Sequence, residues 1–150
     1  MLGSFDKSDV RFFYPENWQI VDEDLDQWPH RVSVQSPEGG YWELHVWPTR
    51  MDAAKLSGEA LRAMRMEYAD VESERVLEHL GDVPSMGYDL SFFYLDFLIT
   101  CKIRALNVGN RTYLLIYQAE SREFDRQASV FEAITHSLLN GRLEDGPVKP

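Results

Sequence analysis

Three strand-like segments follow one another between residues 87 and 119, and they carry apolar side chains on both faces. They cover residues 87–94, 98–106 and 112–119, with short turns near residues 95–97 and 107–110. Consecutive strands joined by short turns form an antiparallel meander. A sheet with one solvated face would alternate apolar with polar residues. In residues 98–106, Cys101 and Ile103 point to one face, while Leu98 and Leu106 point to the other. The sheet therefore needs a cover on both faces.

Two amphipathic helices are predicted, and they can supply the two covers. The first spans about residues 52–69 with Asp52 as its N-cap, and the second spans about residues 122–140 with Ser121 as its cap and Gly141 as its stop. Their apolar stripes consist of Ala53, Ala60, Leu61, Met64 and Tyr68 in the first and Phe124, Ala128, Phe131, Thr135 and Leu138 in the second. The predicted fold class is α+β, an antiparallel β-sheet flanked by helices on both faces as an α/β/α sandwich.

Further strands are predicted on either side of the first helix. Alternating segments at residues 10–14, 18–20, 32–34 and 41–47 precede it, and residues 71–80 follow it. A chain of 150 residues has the length of one domain. We therefore predict a single domain over residues 1–150, with an ordered core at about 8–140 and a flexible tail at 141–150.

Composition excludes some classes of partner. There are 25 acidic and 15 basic residues, and the resulting net charge of −10 repels phosphate backbones, so we expect no nucleic-acid partner. The sequence shows no secretory signal and no apolar run long enough for a membrane helix, so we expect no membrane partner and a cytoplasmic location. The single cysteine, Cys101, alternates with Ile99 and Ile103 and is predicted to be a buried, inert thiol.

Both ends of the domain resemble the PsbP-like and Mog-type domains. The N-terminal similarity lies in the aromatic-Pro-x-x-Trp pattern of Phe12-Phe13-Tyr14-Pro15-Glu16-Asn17-Trp18, and the C-terminal one in the helix segment from Phe131 to Leu138 after the last strand. The resemblance implies an antiparallel sheet flanked by helices and an accessory or adaptor role. Members of this broad group bind photosystem components or a small GTPase, and related bacterial domains escort secreted effectors. The group shares no catalytic motif, so no functional residue carries over.

Five side chains form the candidate site for a partner or ligand. Alternation in the strand at 41–47 places Tyr41, Glu43, His45 and Trp47 on one face. Trp28 and Trp47 each precede a proline, in positions at strand ends or in loops, and exposed tryptophans are enriched at interfaces. Glu43 and His45 together have the chemistry for acid–base work at neutral pH. The alternative for this pair is the margin of a face that is partly buried under a helix.

An acidic segment, Asp22-Glu23-Asp24-Leu25-Asp26, matches the first three ligand positions of an EF-hand loop. The sixth and twelfth positions should be Gly and Glu, but they are Gln27 and Ser33. We therefore interpret the segment as a solvated acidic loop. The four histidines are too far apart in sequence to form a helical metal pair, and catalytic motifs are absent. We expect no metal, no cofactor and no catalytic residue.

These observations favour a non-enzymatic accessory or adaptor protein that binds another protein. Two alternatives stay open. One is a chaperone for a secreted effector, which would form a homodimer around an apolar segment. The other is a small-molecule binder or enzyme that uses the pocket between helix and sheet, with Glu43 and His45.

Overall fold

A computed structural model describes the backbone of residues 2–144 and the side chains of residues 2–140. Within these residues the chain forms nine strands and two helices: β1 (Leu2–Lys7), β2 (Val10–Pro15), β3 (Gln19–Asp24), β4 (His30–Gln35), β5 (Tyr41–Trp47), α1 (Ala53–Glu67), β6 (Glu72–Leu80), β7 (Val83–Tyr94), β8 (Phe97–Val108), β9 (Arg111–Glu120) and α2 (Ser121–Glu144). The first strand precedes the ordered core predicted from about residue 8. The flexible tail predicted at the C-terminus falls, from residue 145 onwards, outside the described residues.

Seven strands form one sheet in the order β3-β4-β5-β9-β8-β7-β6, and every neighbouring pair is antiparallel. The predicted meander is β7, β8 and β9, joined by tight turns. The strands β1 and β2 pair with each other as a separate hairpin. Neither helix found within residues 2–144 combines the length and apolar character needed to cross a bilayer.

Both faces of the sheet are covered, as the sequence predicts. On one face, α2 and the β1–β2 hairpin pack over a core that includes Trp42, Tyr113 and Leu115. On the other face, α1 packs over Cys101 and Ile103, mainly against β7 and β8. The structure is therefore an α+β sandwich, with the hairpin as an additional part of one cover.

Three residues are predicted to mark helix ends, Asp52, Ser121 and Gly141, and the structure confirms one of them. The Asp52 carboxylate accepts hydrogen bonds from the backbone N–H groups of Ala54 and Lys55, at 2.9 and 3.3 Å, which confirms it as the N-cap of α1. The prediction of Ser121 as the cap of α2 is wrong.

At α2, the Glu120 carboxylate accepts hydrogen bonds from the backbone N–H groups of Arg122 and Glu123, at 3.1 and 3.4 Å. The Ser121 hydroxyl is instead paired with Thr100 Oγ1, at 2.8 Å. The predicted stop at Gly141 is also wrong, because α2 continues to Glu144. A glycine inside a helix costs only about 1 kcal/mol relative to alanine, which packing along the rest of the helix can offset.

The hydroxyl of Thr135 joins α2 to the middle of the sheet. Thr135 Oγ1 donates to the Phe131 carbonyl oxygen one turn earlier in α2, at 3.0 Å. It also lies 3.0 Å from Trp42 Nε1 on β5 and 2.5 Å from the Tyr117 hydroxyl on β9. All these atoms are buried, and buried donors need partners. One hydroxyl therefore satisfies polar groups from two central strands.

We predict that Thr135→Val lowers the free energy of unfolding by about 2 kcal/mol or more, because it leaves the buried Trp42 N–H and Tyr117 hydroxyl without their shared partner. Urea denaturation measures the change. Thr135→Ser is the matched control, since it keeps the hydroxyl and loses only one methyl group. A valine variant as stable as the serine variant would contradict this role.

Candidate functional site

One face of β5 forms a half-buried platform of polar and aromatic side chains, which we call the β5 shelf. It consists of Tyr41, Glu43, His45 and Trp47, which the sequence predicts to share a face. The alternate residues of β5, Trp42, Leu44 and Val46, are fully buried on the α2 side. Because α1 packs mainly on β7 and β8, it leaves the shelf only partly covered. The shelf is thus open to solvent beside a helix.

The neighbouring strands extend the shelf on both sides. In the register of β4, Arg31 lies opposite His45 and Ser33 lies opposite Glu43. In the register of β9, Ile116 lies opposite Glu43 and Gln118 lies opposite Tyr41. Residues directly opposite in an antiparallel pair point to the same face. The floor around the Glu43 carboxylate therefore contains a guanidinium, a hydroxyl, an amide and an aliphatic side chain.

Glu43 and His45 form a close pair. His45 Nε2 lies 2.6 Å from Glu43 Oε2, and the Ser33 hydroxyl donates to Glu43 Oε1 at 3.4 Å. Burial acts to raise the pKa of the Glu43 carboxyl, but the hydrogen bond and charge of His45, with Ser33 and Arg31, outweigh it and lower the pKa below its ordinary value. Glu43 is therefore held as a carboxylate near neutral pH.

In this pair, His45 could act as a base and Glu43 would orient its ring, but no described nucleophile is hydrogen-bonded to His45. The Ser33 hydroxyl faces the carboxylate of Glu43 and makes no hydrogen bond with the His45 ring among the described residues. Activation of a serine needs a hydrogen bond from its hydroxyl to the base. Among the described residues, the pair therefore lies on a polar surface and lacks a serine positioned for activation by His45.

Aromatic rings lie along the same face. The Trp47 ring is nearly parallel to the His45 ring, with centroids 6.1 Å apart. At the other end of β5, burial raises the pKa of the Tyr41 hydroxyl, and the Glu43 carboxylate raises it further, so this group stays protonated. The shelf thus has an aromatic ring near each end and the hydrogen-bonded Glu43–His45 pair between them.

Trp28, the fifth predicted site residue, lies elsewhere. Its ring stacks on His30 with centroids 3.7 Å apart, and the Arg111 guanidinium lies 5.7 Å from its centroid. Side chains alternate along β4, so His30 points to the α2 side of the sheet, as the buried Val32 does, and Arg31 points to the shelf side. The structure therefore brings together four of the five predicted site residues: Tyr41, Glu43, His45 and Trp47. Trp28 lies apart from them, and its side chain is 45% exposed.

The acidic segment is partly strand. Asp22 and Asp24 belong to β3, and Asp24 accepts hydrogen bonds from Gln27 Nε2 at 2.9 Å and from the Asp26 N–H at 3.3 Å. Asp24 is thus turned toward the loop that follows it. Across the side chains that the structure describes, no cluster of three or more histidine, cysteine or acidic residues is arranged to hold a metal ion.

Sequence reasoning missed a cavity of about 230 Å³ between β6 and α2. Its wall includes Glu78 and His79 from β6, Glu132 and His136 from α2, and Lys102 from β8. These residues come from three separate elements. Only the strand order, which places β6 at the edge of the sheet, brings them near one another, and no spacing along the chain indicates it.

Solved structures share the fold of this chain at low sequence identity, whereas no protein-family model and no curated protein matches it. The cyanobacterial PsbP (CyanoP) of Synechocystis sp. PCC 6803 is similar, with a TM-score of 0.64 and 12% identity over 91% of this chain and 90% of that one. The fold is PsbP-like. At this identity the similarity concerns the fold alone.

Two other solved structures have the same architecture. LpqN of Mycobacterium tuberculosis, described as involved in cell envelope biogenesis, has a TM-score of 0.59 and 12% identity over 91% of this chain and 88% of that one. PA94 of Pseudomonas aeruginosa, a protein of unknown function, has a TM-score of 0.54 and 8% identity over 99% and 98%. The PsbP-like part of the predicted resemblance is supported, and the Mog-type part stays a prediction.

We predict that acid removes stability that Glu43 supplies at neutral pH. A carboxyl whose folded-state pKa is lowered stabilises the fold above its ordinary pKa of 4.5, and this stabilisation disappears as the pH falls through the lowered value. The difference in unfolding free energy between wild type and Glu43→Gln should therefore shrink from pH 7 toward pH 3. Urea denaturation across this range measures it. A difference that stays constant would show that Glu43 does not titrate in this way.

We also predict that Cys101 resists thiol reagents in the native protein. Its side chain is fully buried, and burial raises its pKa to about 12. Modification by a disulfide reagent at pH 8 should be slow in buffer and fast in denaturant. Rapid native modification would mean that α1 opens readily from the sheet.

Proposed function

We propose that this protein is a non-enzymatic accessory or adaptor protein that binds another polypeptide through the β5 shelf. The observation that carries the proposal is the placement of Tyr41 and Trp47, both half-buried, on either side of the Glu43–His45 pair on a strand inside the sheet. Tyr and Trp combine a large apolar area with a polar group, and they dominate the energetics of interfaces. The net charge of −10 favours a polypeptide partner over nucleic acid.

The rigidity of the shelf supports this proposal. β5 is hydrogen-bonded on both sides, by β4 and by β9, and its opposite face is anchored in the core at Trp42. A surface that is already ordered loses little conformational entropy on binding. The contact of Glu43 with His45 also means that a partner would cover a carboxylate that already has a hydrogen-bond partner.

We predict that Tyr41→Ser with Trp47→Ser lowers capture of the specific partner at least about tenfold, as expected for loss of an aromatic hot spot. The tagged protein serves as bait in its native lysate, and quantitative mass spectrometry compares the variants across salt steps. Met66→Ser is the control, because Met66 is 85% exposed on α1 and does not belong to the shelf. Trp28→Ala tests the separate Trp28 surface.

Equal capture by the shelf variant and by wild type would reject the shelf as the binding surface. A captured partner that is a secreted effector would identify the chaperone alternative, for which light scattering should also show a dimer. These outcomes separate an adaptor from a chaperone because they depend on the identity of the partner and on the oligomeric state.

A small-molecule binder or enzyme is the second candidate, and the 2.6 Å contact between His45 and Glu43 is the observation that favours it. A metabolite that raises the melting temperature of wild type but not of His45→Ala would support this candidate. Failure of a broad screen to shift the wild-type protein would count against it and leave the polypeptide proposal in place.

A further inference from the structure

The β7–β8 hairpin ends in a cluster of exposed large apolar side chains, which we call the hairpin tip. Phe93, Tyr94, Leu95, Phe97 and Leu98 fall within six consecutive residues, and their exposed fractions lie between 40% and 73%. They are five of the twelve large hydrophobic residues that are exposed among the described side chains. Single exposed apolar residues are ordinary, but a contiguous group marks an interaction site.

The turn carries a leucine that its backbone conformation does not favour. Leu95 and Asp96 both have positive φ, at 49° and 69°, and Tyr94 pairs with Phe97 across the turn. A two-residue turn of this kind favours Asn-Gly, because residues with bulky side chains adopt positive φ at an energetic cost. A leucine at its first position gains no burial in return, since Leu95 is 73% exposed. Burial therefore does little to offset the backbone cost of Leu95.

The inner end of the cluster is anchored to the body of the protein. The Tyr68 ring, at the end of α1, stacks on the buried Phe92 with centroids 4.2 Å apart and meets the Tyr94 ring edge-on at 5.8 Å. This contact fixes the direction in which the hairpin leaves the sheet. The tip is therefore held in place as it projects from the sheet.

Three carboxylates lie in the turn or near the base of the hairpin tip. Asp96 lies in the turn, Glu72 lies opposite Ser91 two residues before Phe93, and Glu67 precedes Tyr68. None of the three carboxylates takes part in an ion pair among the described residues. Of the two nearby arginines, Arg122 is paired with Glu120 at 3.2 Å and Arg65 donates to Ser73 Oγ at 2.8 Å. Because Ser73 is neutral, Arg65 keeps its positive charge, so the three carboxylates and this one guanidinium leave the rim of the apolar tip with an excess of negative charge.

We propose that the hairpin tip binds a cationic amphipathic polypeptide segment, with apolar side chains against the aromatic rings and Lys or Arg against the rim. Charge selects this occupant. A second copy of this chain would bring two acidic rims together, each on a molecule with a net charge of −10. An anionic bilayer would meet the same repulsion. This inference shares with the proposed function the assumption that the ligand is a polypeptide. It concerns the hairpin tip and not the β5 shelf.

The test measures binding of a fluorescent amphipathic peptide built from Leu and Lys, with a matched Leu and Glu peptide, by anisotropy at low and physiological salt. The tip variant combines Phe93→Thr, Leu95→Asn and Phe97→Thr, because threonine suits a strand and asparagine suits the turn, so the fold is preserved. We expect it to bind the cationic peptide at least about tenfold more weakly than wild type. Leu77→Thr is the matched control, since Leu77 is 67% exposed on β6.

A second variant, Glu72→Gln with Asp96→Asn, isolates the rim. It should bind more weakly and with a smaller salt dependence than wild type. The inference is overturned if the tip variant binds as wild type does, since binding would then reflect overall charge. It is also overturned if the Leu and Glu peptide binds equally, if sedimentation shows a dimer that the tip variant loses, or if phosphatidylcholine vesicles bind the tip with no peptide present.

The shelf variant Tyr41→Ser with Trp47→Ser separates this inference from the proposed function. It should retain binding of the cationic peptide while losing the captured partner. If the tip variant fails to change peptide binding while the shelf variant loses its partner, the tip inference is rejected and the shelf proposal stands. The reverse result rejects the shelf and supports the tip.

Discussion

The buried hydroxyl of Thr135 sets the geometry on which the shelf depends. It connects α2 to β5 through the Trp42 indole N–H and to β9 through the Tyr117 hydroxyl. A Trp side chain in a core finds a hydrogen-bond partner for its N–H, and here a single hydroxyl on the helix provides it. Because side chains alternate along a strand, fixing Trp42 on the α2 side directs Glu43 and His45 to the opposite side. The chemistry of the shelf thus follows from packing on the reverse of the same strand.

The open area beside the shelf has a topological origin. β5 lies inside the sheet, and β6, the next strand along the chain, lies at the far edge beyond β9, β8 and β7. The connection between them crosses the sheet in that direction and contains α1, which packs on β7 and β8. Nothing in this connection passes over β3 and β4. α1 runs along β7, with Ala53 near Met86 at one end and Tyr68 against Phe92 at the other. A helix is about 10–12 Å across with its side chains, so α1 covers only two or three of seven strands that lie about 4.8 Å apart. One half of this face therefore stays open.

The alternation of residues 41–47 predicted which shelf side chains share a face, and helical spacing predicted the apolar stripes of both helices. The preference for Asp at helix N-termini also predicted the Asp52 cap correctly. The contacts that the sequence did not predict all depend on which strands are neighbours. Ser33 meets Glu43 only because β4 pairs with β5 in one register, and Trp28 lies apart because its partner His30 faces the α2 side. The Glu120 cap was missed because the favoured residue type, Ser121, was available next to it.

The pairing inside the shelf also bears on what a partner gains by covering it. A lone carboxylate or imidazolium buried under a partner would lose its hydration with nothing in exchange. Glu43 already accepts hydrogen bonds from His45 and Ser33, so covering the pair removes water from groups that retain their protein partners. A catalytic histidine uses one ring nitrogen as the base, while a carboxylate can hold the other. In this structure, His45 Nε2 is directed at Glu43 and the His45 ring lies nearly parallel to that of Trp47. A partner that covered the shelf would therefore meet a carboxylate that already has its hydrogen-bond partner, with an aromatic ring beside the pair.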